Sequence, residues 1–118
     1  MSIIATIEGC AVEWDGKVIS FTARGRIDTD GIGNHYGDRW AQNDTTLHLD
    51  GKPLNADIHP FIVLPPQVIK AVPPIVLGSY SVVTYKGRVR YAVVGDVGPR
   101  KRLGEISYCL AKQLGINP

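Results

Sequence analysis

The chain has 118 residues, of which 44% are apolar and 20% charged. These proportions exclude a disordered polymer and, at this length, point to one domain over residues 1–118. Thirteen glycines and eight prolines argue against a helical bundle and for short strands joined by tight turns. The net charge of +2 conceals two unlike segments: residues 27–60 hold six acids and two bases, a balance of −4, whereas residues 86–112 hold seven bases and two acids, a balance of +5. Such a division bears on partners and fields, not on the fold.

In chain order, the first nine residues contain no basic stretch followed by an apolar one, so no secretory signal is expected. Action outside a cell or at its wall would then require lysis or a dedicated export route. β-Branched runs predict strands over Ile3–Ile7, Lys17–Thr22, Phe61–Leu64, Ser81–Tyr85 and Arg88–Val94. Lys86-Gly87 makes a hairpin turn between the last two, because glycine supplies positive φ. Residues 28–57 are polar and read as a long surface loop, a kind of segment that is usually functional. Pro65-Pro66 and Pro73-Pro74 bracket an irregular segment. One helix is predicted over 103–115, where Leu103, Ile106, Leu110 and Leu114 recur at helical spacing and Gly115 suits the C-cap. Cys10 and Cys109 have no metal or redox spacing and read as small apolar residues, with a long-range disulfide as the alternative. No apolar run is long enough for a membrane helix.

The stretch with the most chemistry runs from Val93 to Ser107. A strand is expected to end at Val94, a glycine-rich turn to present Asp96, and Glu105 to open the helix. Two carboxylates on one rim can cleave a glycosidic bond, one protonating the leaving oxygen while the other activates water or attacks the sugar. The competing reading makes Asp96 a turn stabiliser and Glu105 a helix-terminal charge. A place in the first helical turn would depress the pKa of Glu105 and suit it to the base role, leaving Asp96 as the acid.

Gly95-Asp96-Val97-Gly98-Pro99, Gly104-Glu105-Ile106-Ser107-Tyr108 and the ending Leu114-Gly115-Ile116-Asn117-Pro118 together resemble glycoside hydrolase family 75, the fungal-type endo-chitosanases. Ile27-Asp28-Thr29-Asp30-Gly31 is similar to that family's DxDG motif, Pro60–Pro65 to its apolar strand, and Tyr85-Lys86-Gly87 to its hairpin. The ordered motifs run from Arg26 to Pro118. The resemblance implies Asp96 and Glu105 as catalytic carboxylates, inverting hydrolysis of a chitosan-like β-1,4-linked amino-sugar polymer, and no cofactor. The glycine turn leading to Ser107 and Ala111 also resembles double-psi β-barrels of the expansin kind, which implies a mainly β, six-stranded barrel with one C-terminal helix.

Asp28 and Asp30 are expected to bind sugar ammonium groups, with a solvated turn as the plainer alternative; they lack the partners a metal site needs. Tyr36 and Trp40 offer flat faces for sugar rings or, equally, for core packing. His35, His48 and His59 read as structural residues, His48 as half-buried on a strand. Arg100-Lys101-Arg102 lies between the two carboxylates, and if it faces the groove it would repel a polycation and favour peptidoglycan. Nucleic acid is disfavoured as a partner: the basic residues carry no recognition motif, and the acidic segment repels phosphate. A non-catalytic glycan-binding or virion structural domain is the reading from a different functional class.

Overall fold

The computed structural model describes residues 2–16, 18–23, 25–28, 45–71, 77–98 and 103–116. These residues are mainly strand, with a small helix near the C-terminus. The first layer is an antiparallel meander of β1 (Ser2–Ile7), β2 (Cys10–Trp14) and β3 (Ile19–Ser20). Glu8 and Gly9 both have positive φ, 53° and 77°, so the β1–β2 hairpin turns with a twist that matches its strands. Lys86 and Gly87 do the same at the predicted hairpin, with φ of 46° and 81°.

The second layer is a five-stranded mixed sheet that combines β4 (Arg26–Asp28), β7 (Phe61–Leu64), β8 (Tyr80–Tyr85), β9 (Arg88–Val97) and β10 (Glu105–Ser107). Its order is β4-β10-β7-β9-β8, with β4–β10 and β7–β9 parallel and the other pairs antiparallel. A separate ribbon joins β5 (His48–Leu49) to β6 (Lys52–Pro53). Among the described residues none of the three sheets closes on itself. One buried cluster of Ile7, Val12, Leu64, Val68, Val94 and Leu103 joins the two larger sheets. A second packs Leu110, Ala111 and Leu114 against Ala92 and Ile106.

Several elements differ from the sequence reading. The predicted helix begins only at Tyr108 and runs to Leu114 (α2), because Ile106 pairs on one side with Ile27 and on the other with Ile62. The backbone of Glu105–Ser107 is thus used by the sheet, and Ser107 caps the helix by accepting from Leu110 N–H. Glu105 lies in a strand, so the helix-dipole argument for its role as the base lapses. The stretch after Pro65 is a short helix, α1 (Pro66–Ala71), instead of an irregular segment; proline suits its first position, where no N–H is needed. The predicted surface loop contributes to the core: Leu54 and Ala56 are fully buried and pack with Phe61 and Val63. His48 is an exposed strand residue, not a half-buried one. Cys10 and Cys109 are both free thiols. Among the described residues no helix is long and apolar enough to cross a membrane.

Candidate active site

The β9 strand continues past Val94 to Val97, so Asp96 is a strand residue and not the tip of a turn. It is 6% exposed. At this end of β9 the place of β8 is taken by Thr45–Leu47, where Leu47 N–H donates to Gly95 O at 3.0 Å. The Asp96 carboxylate fastens that segment. Its Oδ1 accepts from Thr46 N–H at 3.0 Å, from the Thr46 hydroxyl at 2.8 Å and from its neighbour Val97 N–H at 3.0 Å. Buried Thr45 holds the other side, donating to Leu47 O and accepting from Leu54 N–H.

The glycines around Asp96 answer to close packing and not to turn geometry, since neither Gly95 nor Gly98 has positive φ. A Cβ on Gly95 would lie 2.6 Å from Leu54 Cδ1 and 2.7 Å from Phe61 Cβ. One on Gly98 would lie 2.7 Å from Val63 Cγ1 and 3.3 Å from Glu105 Oε2. The end of β9 therefore passes over Val63 and beside the Glu105 carboxylate.

The sheet register aligns the two carboxylates. Val63 pairs with Asp96 across the β7–β9 ladder, after a register shift between Ile62 and Val63. On the opposite side, the antiparallel pair Ile106↔Ile62 sets Glu105 beside Val63. Glu105, Val63 and Asp96 thus form one cross-strand row, in which two strand spacings, about 9.5 Å, separate the backbones of the two acids. Glu105 also pairs with Arg26 of β4. The Arg26 guanidinium is held by Glu8 Oε2 at 2.6 Å, and Glu8 Oε1 accepts from Leu103 N–H at 3.2 Å.

Glu105 lines an open groove of about 1250 Å³, bounded on one side by Val18–Ala23 and on the other by β8. Asp96 does not line it. Among the described residues, the aromatic ones that line the groove are Phe21, Tyr80, Tyr85 and Tyr91. Of these only Tyr80 had a local signal, its alternation with Val82, which sets two large side chains on one face of β8. The role of Thr45 and Thr46 had no local signal, since Asp96 lies fifty positions away.

Of the other residues expected at a binding site, Asp28 pairs through its backbone with Ser107, two positions beyond the partner of Glu105. Asp30, Tyr36 and Trp40 lie outside the described residues, as do Arg100, Lys101, Arg102 and His35. His59 is structural: its Nδ1 accepts from Asn55 N–H and its carbonyl accepts from the Ser107 hydroxyl. Among the described residues no three His, Cys, Asp or Glu side chains gather as a metal site. Neither a protein-family model nor a curated protein matches the chain.

Proposed function

We propose that this protein is an endo-acting glycoside hydrolase of the chitosanase type, which cleaves a β-1,4-linked amino-sugar polymer with Asp96 and Glu105 as its carboxylate pair. The row Glu105–Val63–Asp96 is the observation that carries this reading. A direct nucleophile needs carboxyl groups only about 5–5.5 Å apart, whereas inversion, which the chitosanase resemblance implies, needs them about 6.5–9.5 Å apart with a water between sugar and base. In that step one carboxyl protonates the leaving glycosidic oxygen while the other takes a proton from the attacking water, and no cofactor takes part. A six-stranded double-psi-like barrel belongs to the same proposal, supported by the parallel pairs β4–β10 and β7–β9 interleaved with antiparallel ones.

The test is digestion of chitosan and of purified peptidoglycan side by side, with product anomers followed by NMR. Inverted anomers from either polymer are expected, and the polymer that is cleaved decides the substrate. Asp96→Asn and Glu105→Gln should each lower the rate by about 10²-fold or more while the far-UV spectrum is kept. The pH limb that each variant removes assigns acid and base. Full activity in either variant would overturn the pair. Intact polymers after long incubation would turn the assignment towards a binding domain.

A further inference from the structure

β8 is an edge of the five-stranded sheet: β9 pairs with one of its sides, and among the described residues no strand pairs with the other. The register shows which backbone groups that second side presents. Val94 N–H donates to Ser79 O at 2.9 Å, and the ladder then runs from Tyr80↔Val93 to Tyr85↔Arg88 without a register shift. In an antiparallel ladder the residues that exchange bonds with the neighbour alternate with residues that do not, so Ser81, Val83 and Tyr85 direct their N–H and C=O groups at β9. Tyr85↔Arg88 is then the hydrogen-bonded pair that closes the two-residue Lys86-Gly87 turn. Tyr80, Val82 and Thr84 direct their backbone groups away from the sheet. Exposed edges usually carry a lysine, a proline or a bulge that discourages pairing. Tyr80–Tyr85 holds no charged residue and no proline, and its pairing with β9 is regular. Every position but Ser81 is aromatic or β-branched, the residue types that strands favour. Tyr80 and Val82 are 90% and 62% exposed, on the face opposite Ser81 and Val83.

We propose that β8 is a self-association edge, on which β8 of a second copy of this chain pairs antiparallel about a two-fold axis at Val82, doubling the five-stranded sheet. With Val82 opposite Val82 of the second copy, Tyr80 falls opposite Thr84 and Ser81 opposite Val83. The outward N–H and C=O groups of Tyr80, Val82 and Thr84 then meet the same set, and each pair exchanges two bonds. The side chains match as well: Val82 packs beside its copy and each Tyr80 ring beside a Thr84 methyl, both favourable cross-strand neighbours. Charge selects the orientation. An antiparallel copy sets Lys86 opposite Gly78 of the second chain, whereas a parallel copy would set the two Lys86 ammonium groups side by side, and like charges directly opposite are unfavourable. No like charges meet along the antiparallel seam, so the edge is complementary to itself, as a two-fold interface requires. The proposal stands apart from the hydrolase reading and uses neither Asp96 nor Glu105.

The test is analytical ultracentrifugation of the full chain from about 20 µM to about 1 mM, a range set by the small interface that one pair of strands makes, with residue-resolved amide exchange at both ends of it. The mass should rise towards twice that of the monomer. At the low concentration the amides of Tyr80, Val82 and Thr84 should exchange fast while those of Ser81, Val83 and Tyr85 are protected, and at the high concentration the fast set should slow by about tenfold or more. Val82→Lys places two ammonium groups opposite each other at the axis, and should weaken association by about tenfold or more with the circular dichroism of the parent. Val82→Thr keeps the β-branch and should associate like the parent. A monomer over the whole range, or a dimer that Val82→Lys leaves intact, would overturn the proposal. A dimer without new protection at the three amides would also overturn it, by moving the interface to the exposed face of Tyr80 and Tyr91. So would a monomer in which those amides are protected at every concentration, since the edge would then belong to another segment of the same chain.

Discussion

Ser107 is the residue on which both the fold and the candidate site depend, and replacing it with alanine gives the most quantitative expectation. Its side chain is fully buried, and its hydroxyl uses its whole hydrogen-bonding capacity of one donor and two acceptors. It donates to His59 O at 2.8 Å, and accepts from Phe61 N–H at 3.0 Å and from Leu110 N–H at 3.2 Å. The first two bonds tie β10 to the start of β7, and the third caps α2. Loss of the cap costs about 1 kcal/mol. The two groups left behind are the His59 carbonyl and the Phe61 amide, and a buried backbone group without a partner costs about 1–3 kcal/mol. Together the loss is about 3–7 kcal/mol, a large share of the roughly 5–15 kcal/mol that stabilises a domain. Equilibrium urea unfolding of the Ser107→Ala protein measures it, with Ser20→Ala on an exposed strand position as the comparison. The midpoint should fall steeply for Ser107→Ala and stay within about 0.5 kcal/mol of the parent for Ser20→Ala. A loss below about 1 kcal/mol for Ser107→Ala would refute the reasoning, because a cap alone accounts for that much.

Two further outcomes follow from the same structure. Gly98→Ala forces a Cβ to within 2.7 Å of Val63 Cγ1, on a side chain that is 4% exposed and stiff at χ1, and to within 3.3 Å of the Glu105 carboxylate. Stability should drop by about 1–3 kcal/mol and hydrolysis should fall further than stability explains. Gly25→Ala, where the nearest atom is Ile116 Cδ1 at 3.9 Å, is the control for stability, and parental behaviour in both would count against the packing described for β9. For Cys109, burial pushes the thiol above its ordinary 9.0; Lys112 opposes the shift and Asp57 adds to it. The unfolded chain therefore ionises first, so this contribution to stability is complete below the unfolded pKa and is lost as pH rises through the folded one. Alkylation rates against pH should show a midpoint for Cys109 above that of an unfolded peptide, and a midpoint at or below it would disprove the shift.

The resemblance to chitosanases rested on short ordered motifs, and the structure changes the meaning of several of their letters. Gly95 and Gly98 read as turn formers but are glycines because Leu54, Phe61 and Val63 leave no room for a Cβ. Ser107 read as a residue inside the predicted helix but ends a strand and caps the helix after it. Leu103 and Ile106 kept the helical spacing although neither is helical; both are buried, in different clusters. A period of three or four residues over so short a span does not separate a helix from a strand followed by a helix.

Local chemistry in the sequence determined a good deal. The β-branched run Phe61–Leu64 is a strand with the expected bounds, and Tyr80–Tyr85 and Arg88–Val97 pair through the Lys86-Gly87 turn, because alternation and positive-φ turn residues act over a few neighbouring positions. Gly115 ends α2 in the left-handed conformation for the same local reason. Contacts between distant segments were decided only by tertiary structure. Thr46 reaches Asp96, Leu54 enters the core against Phe61, and Glu105 and Asp96 are aligned by a strand, β7, that lies far from both in sequence. Composition separates an acidic segment from a basic one, but the groove is bounded by segments from both ends of the chain, and among its described lining residues only Glu105 belongs to either charged set. Charge at the surface of a folded chain is distributed by which side chains a sheet turns towards solvent, and that pairing is set by hydrogen bonds and packing across long sequence distances.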